Sequence, residues 1–175
     1  TKVISHPLVA ADAPCPPGWD AEFADRVAGA VLPGYAVFSM RDLDRAVRAL
    51  LPGGPVRVKP AGGMGGLGQI VIPSERERVE RLGCLDATEI VRRGAVVEPD
   101  LRDARTWSIG QLRIGRLRAS YFGIQRTTRD RHGAEVYGGS SITLVRGGGE
   151  GLEAHVAGDQ SLRRAIDFAR VDHDA

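Results

Sequence analysis

Asparagine is absent from this 175-residue chain, and lysine occurs only at Lys2 and Lys59 although basic residues number 24. The first absence removes any chemistry that needs an asparagine side chain. The second singles out Lys59, because a chain that uses arginine almost everywhere else places here a compact ammonium rather than a guanidinium fork. Cysteine is also scarce. Cys15 and Cys84 form no CxxC pair, which excludes a disulfide framework and a zinc ribbon and points to a reduced, cytoplasmic setting. No run approaches the roughly 18 consecutive apolar residues of a spanning helix, and no signal segment is visible, so no membrane partner is expected. The histidines His6, His132, His155 and His173 lack metal-ligand spacing, and no G-x-S-x-G elbow is present. Acidic residues number 22, leaving a net charge of +2 and no concentrated basic face, so nucleic acid is not an expected partner.

Glycine is plentiful, at 23 residues, within an otherwise ordinary globular composition of 42% hydrophobic and 26% charged residues. Local patterns give the element order. Residues 20–30 suggest a short helix and 35–38 a strand. Ser39 with Asp42 reads as a capping box before a helix with apolar Leu43, Ala46, Val47 and Leu50. Val56 and Val58 alternate with Arg57 and Lys59 as a strand, and residues 69–72 form its return strand. Ser74 with Glu77 and Asp86 with Glu89 suggest two further capped helices. An apolar strand at 95–97 runs into Glu98-Pro99. Beyond it, residues 107–114, 117–127 and 134–145 read as three strands joined by tight turns. A glycine-rich loop at 147–151 then precedes a helix at 160–170.

The segment between the strands ending at Lys59 and beginning at Gln69 carries the chemistry. Gly63, Gly65 and Gly68 satisfy G-x-G-x-x-G, but the run after them, with β-branched Ile70, Val71 and Ile72, ends at Pro73 rather than opening a helix, which disfavours a dinucleotide fingerprint. No Lys-Ser/Thr closes it as a Walker A loop, and no lysine stands on a third strand as in a protein kinase. What remains is a lysine, a glycine turn and a return strand. Backbone N–H groups of such a turn can form an anion-binding nest, with Lys59 neutralising phosphate charge. The alternative is a hairpin that binds nothing.

Residues Leu32–Gly68 (LPGYAVFSMRDLDRAVRALLPGGPVRVKPAGGMGGLG), with Val96-Val97-Glu98 beyond them, resemble the ATP-grasp superfamily over roughly 32–145. That resemblance implies an α+β fold: an N-terminal segment (1–31), a small α/β subdomain with the glycine-loop hairpin (32–98), and an antiparallel strand-rich second subdomain (99–175) that is only part of the family's own. It implies ATP held by Lys59, Gly62, Gly63, Gly65, Gly66 and Gly68 on the phosphates and by Glu98, the Pro99 carbonyl and the Leu101 N–H on adenine. It also implies an unidentified small-molecule substrate, ligated to an amine or thiol through an acylphosphate. Asp103 is the candidate for ribose and Lys2 for a second phosphate lysine. Magnesium ligands are expected beyond this segment, with Asp172 and Asp174 as the candidates within it, so the segment alone is expected to lack catalysis.

Two other readings stay open: a non-catalytic nucleotide-binding module, and an RNA-binding domain using the chain's 22 arginines. The stretch Arg126–His132 could meet a phosphate or carboxylate, or be a solvated hairpin turn. Gly138–Ser141 could be a bulge beside a ligand.

Overall fold

A computed structural model describes residues 2–63, 68–129, 131, 133, 135–156 and 158–171, with backbone alone at 2, 135, 170 and 171. The chain forms two compact units, Thr1–Arg102 and Asp103–Ala175, each a mixed α+β layer with its own antiparallel sheet.

The first unit opens with a 3-10 turn, Lys2–Ser5, and helix α1, Ala21–Arg26. Its sheet contains β1 (Tyr35–Val37), β2 (Val56–Pro60), β3 (Ile70–Ile72) and β4 (Ala95–Pro99) in the order β1-β4-β2-β3. Between the strands run α2 (Met40–Leu50), α3 (Glu75–Gly83) and α4 (Ala87–Arg93). Their starts obey local chemistry to different degrees. The Ser39 hydroxyl accepts the Asp42 N–H at 3.0 Å and donates to the Asp42 carboxylate at 2.6 Å, so the acid braces the cap. Ser74 caps no backbone N–H and instead donates to Glu77 at 3.3 Å. Asp86 is a full N-cap, accepting from Thr88 and Glu89 at 2.9 and 3.2 Å.

Side chains alternate across a sheet, and here the two faces differ in kind. Val56, Val58, Ile72 and Val97 are fully buried beneath Leu43 and Ile90 of the helices. The other face packs Ala36 and Val96 against Val3 and Phe38, with Trp19 closing the cluster edge-on to Phe38 at 5.3 Å. Buried Arg78 ties α3 to α2 through Asp44 while its Nε donates to Glu75 at 2.9 Å.

In the second unit β5 (Trp107–Ile114), β6 (Leu117–Arg129) and β7 (Glu135–Arg146) form a meander. The β6–β7 register shifts at Arg126/Thr127, leaving Gly138 without a partner. The expected irregularity at Gly138–Ser141 is thus a bulge. Helices α5 (Gly149–His155) and α6 (Gln160–Val171) bury Leu152, Val156, Leu162 and Ile166 against Trp107, Ile109, Phe122 and Val145. Helix α5 corrects the reading of residues 147–151 as a loop. Burial of Leu152 and Val156 outweighs the weak helix propensity of glycine, about 1 kcal/mol per residue. Among the described residues no helix is long and apolar enough to cross a membrane.

Candidate functional site

Register brings the sequence-derived charges together on the sheet face away from the helices. Arg57 lies opposite Glu98, and Lys59 opposite Val96. The diagonal step joins Lys59 to Glu98, whose carboxylate binds the ammonium directly. Glu98 is buried, with its side chain 8% exposed, and Lys59 is 28% exposed. Beside them Arg57 grips Asp100 through Nε at 2.8 Å and a terminal nitrogen at 2.7 Å, and a second terminal nitrogen donates to Gln69 at 3.2 Å.

Buried His6 completes the cluster from the N-terminal segment. Its Nε2 lies 3.1 Å from the Leu32 carbonyl, which can only accept, so Nε2 carries the proton and Nδ1 accepts from the Ser5 hydroxyl at 3.1 Å. Burial holds the imidazole below the ordinary value of 6.5. The Glu98 carboxylate and the Leu32 carbonyl pull it upward, and Lys59 adds a further lowering. Gly34 permits this crowding, since a Cβ there would overlap the Val97 carbonyl oxygen and lie 3.1 Å from the His6 ring and 3.2 Å from Glu98.

The glycine turn begins directly after β2. The Gly63 N–H bonds the Pro60 carbonyl at 3.0 Å, and Ala61 is anchored to the Gly94 carbonyl at 2.9 Å. A side chain at Gly62 would meet Glu89, with Oε1 at 2.7 Å, and Gly68 has φ +74. Gly65 and Gly66 lie outside the described residues. At the far end of β4, the Asp100 N–H bonds the Pro55 carbonyl at 2.8 Å, so the alternation of antiparallel pairs turns the Pro99 carbonyl away from β2. Leu101 is exposed. Lys59 and Glu98 therefore meet, whereas Pro99 and Leu101 sit at the opposite end of the strand pair from the glycine turn.

The other candidates fall elsewhere. Asp103 is exposed, with φ 53. The Lys2 side chain, His132, Asp172 and Asp174 lie outside the described part. Arg126 and Arg129 are engaged with Ser141 and the Gly133 carbonyl, both at 2.9 Å. Among the described residues no group of three His, Cys, Asp or Glu side chains is placed to hold a metal ion. Sequence reasoning missed His6 and the Arg57–Asp100 clamp. Both depend on segments far apart in the chain, and neither carries a local pattern.

Residues 1–175 match the family described as "Protein of unknown function (DUF3182)", and the chain belongs to that family. No curated protein and no solved structure matches the chain. The family match corrects the ATP-grasp resemblance, for the matching family is DUF3182 and no ATP-grasp family matches. A strand, a capped helix, a proline stop and a glycine hairpin after a lysine satisfy local geometry in any fold that uses them in that order. Such a pattern constrains turns rather than ancestry. The ligation chemistry rested on that resemblance alone.

Proposed function

We propose that this member of the DUF3182 family binds a phosphorylated nucleotide, ATP in the first instance, on the N-terminal unit. The observation that carries the reading is the placement of Lys59, which stands near the end of β2, three residues before Gly62, with its ammonium held by Glu98. A lysine already positioned at the foot of a glycine turn loses less side-chain freedom when an anion arrives. The backbone N–H groups of a turn through Gly62, Gly63, Gly65, Gly66 and Gly68 would supply the remaining phosphate contacts.

In this reading the base lies toward the other end of β4. Glu98 accepts the exocyclic amine on the oxygen not facing Lys59, while the Pro99 carbonyl and the Leu101 N–H meet the base edge. Magnesium would enter as the companion ion of the phosphates, which commonly furnish its oxygen ligands. A nucleotide-rich, reducing compartment such as the cytoplasm is the setting implied, and both cysteines are free and exposed.

Calorimetric titration of the full chain with ATP and ADP, with and without Mg²⁺, tests it. Lys59→Ala removes a charge-assisted contact worth about 1.5–3 kcal/mol, an expected weakening of about ten- to hundredfold. Absence of binding by either nucleotide, or equal affinity in Lys59→Ala, would overturn the reading.

A further inference from the structure

A second feature of the N-terminal unit shares no side chain with the Lys59–Glu98 cluster. A cleft of about 470 Å³ opens beside the start of the glycine turn, where Ala61 forms part of its lining. The volume falls in the range of small-molecule sites, about 300–1,000 Å³. Its walls are apolar, built from Val3, Pro16, Pro17, Trp19 and Phe38. Among the described residues its charged side chains are two guanidinium groups, Arg92 and Arg93, from the C-terminal end of α4.

Three observations define what such a cleft can take. Arg93 is already paired with Glu89 at 3.2 Å, whereas Arg92 makes no ion pair among the described residues. Among the described residues no carboxylate, hydroxyl or amide side chain lines the cleft, so a cation finds no counter-charge there. The Trp19 Nε1–H is buried without a hydrogen-bond acceptor among the described residues, the sole such side-chain nitrogen or oxygen among them. A buried donor in this state is costly unless an acceptor arrives. An arginine fork matches the two oxygens of a carboxylate or the face of a phosphate, and the Trp19–Phe38 wall removes apolar surface from water.

We infer that this cleft binds a small oxyanion on an apolar body, a carboxylate or phosphate monoester carried on an aromatic or branched aliphatic frame. Arg92 holds the oxyanion, and Trp19 and Phe38 enclose the body. The site stands independently of nucleotide binding, because its chemistry involves neither Lys59 nor Glu98.

The test uses the wild-type full chain with ¹⁵N-labelled indoles, in which Trp19 and Trp107 give two N–H resonances assigned with Trp19→Phe or Trp107→Phe, whichever folds. The probes are phenylacetate, phenyl phosphate and the uncharged isostere phenylacetamide. A saturable shift of the Trp19 resonance is expected with one or both anions, the responding one identifying the oxyanion source. Arg92→Gln should weaken binding at least tenfold, and Arg48→Gln, on the exposed face of α2, should leave it unchanged. No saturable shift with either anion, equal binding of phenylacetamide, or unaltered affinity in Arg92→Gln would overturn the inference. Failure of ATP to bind would leave it standing.

Discussion

Lys59 and Glu98 occupy neighbouring antiparallel strands one diagonal step apart, and their charges pair on the sheet face opposite α2, α3 and α4. Each is partly or wholly withdrawn from water, so the pair differs from a surface salt bridge, worth at most about 1 kcal/mol. A double-mutant cycle with Lys59→Met and Glu98→Gln, measured by urea denaturation, should give a coupling within about 0.5–3 kcal/mol. Glu98→Gln alone should be destabilising, since it leaves a half-buried ammonium without its counter-charge. Additive single effects would show that the pair adds nothing to the fold.

His6 makes stability depend on pH in a defined direction. Its folded-state pKa lies below the 6.5 of the unfolded chain because burial disfavours the imidazolium. Below that pH the unfolded state binds the proton more readily, so the stabilising difference is present in full above pH 6.5 and is lost progressively as pH falls toward the folded value. The slope from one such group cannot exceed about 1.4 kcal/mol per pH unit. Denaturation series from pH 7.5 to 5 should show a steeper fall in wild type than in His6→Gln. Parallel curves would assign the acid sensitivity to other groups.

Gly94 ends α4 with φ +80, and a Cβ there would lie 2.6 Å from the Phe38 ring. Backbone strain and steric overlap therefore act together in Gly94→Ala. Residues forced into such backbone regions cost about 1–3 kcal/mol, and displacement of Phe38 adds to this. A melting temperature lower by several degrees is expected, accompanied by an altered Trp19 environment because Trp19 stands edge-on to Phe38. Gly53, where a Cβ would meet nothing and φ is not positive, is the control.

Legibility of the fold tracked the range of the interactions. The strand through Val56–Lys59, the Asp86 cap and the helix after Ser39 rest on neighbours in sequence, and the structure places an element at each. Lys59 and Glu98 were both identifiable as chemical candidates. Their direct pairing was not, because it arises from the register of β2 against β4 across the whole α3–α4 insertion. His6 was hidden for the same reason, since its partner Leu32 belongs to another segment. Helix α5 was hidden differently, its glycines obscuring an apolar pair that only the second unit's sheet makes meaningful. The glycine hairpin after Lys59 is a local pattern that carries no descent, and the family that matches the chain is DUF3182.

The cap at Asp86 links helix stability to the arginine-lined cleft. Its carboxylate accepts the Thr88 and Glu89 N–H groups, two of the donors left open at the start of α4. The helix is short, Ala87–Arg93, so nearly every turn is terminal and the cap bears strongly on its integrity. Asp86→Ala should cost about 0.5–2 kcal/mol. Because Arg92 and Arg93 occupy the last turn, loosening α4 should also weaken phenylacetate or phenyl phosphate binding without removing a cleft residue. Asp86→Asn preserves an effective N-cap oxygen and should restore most of both properties. Stability measured by denaturation and affinity read from the Trp19 indole resonance should therefore fall together in the alanine variant and recover together in the asparagine variant. A stability loss with unchanged affinity would mean that the position of Arg92 is set by something other than the helix start.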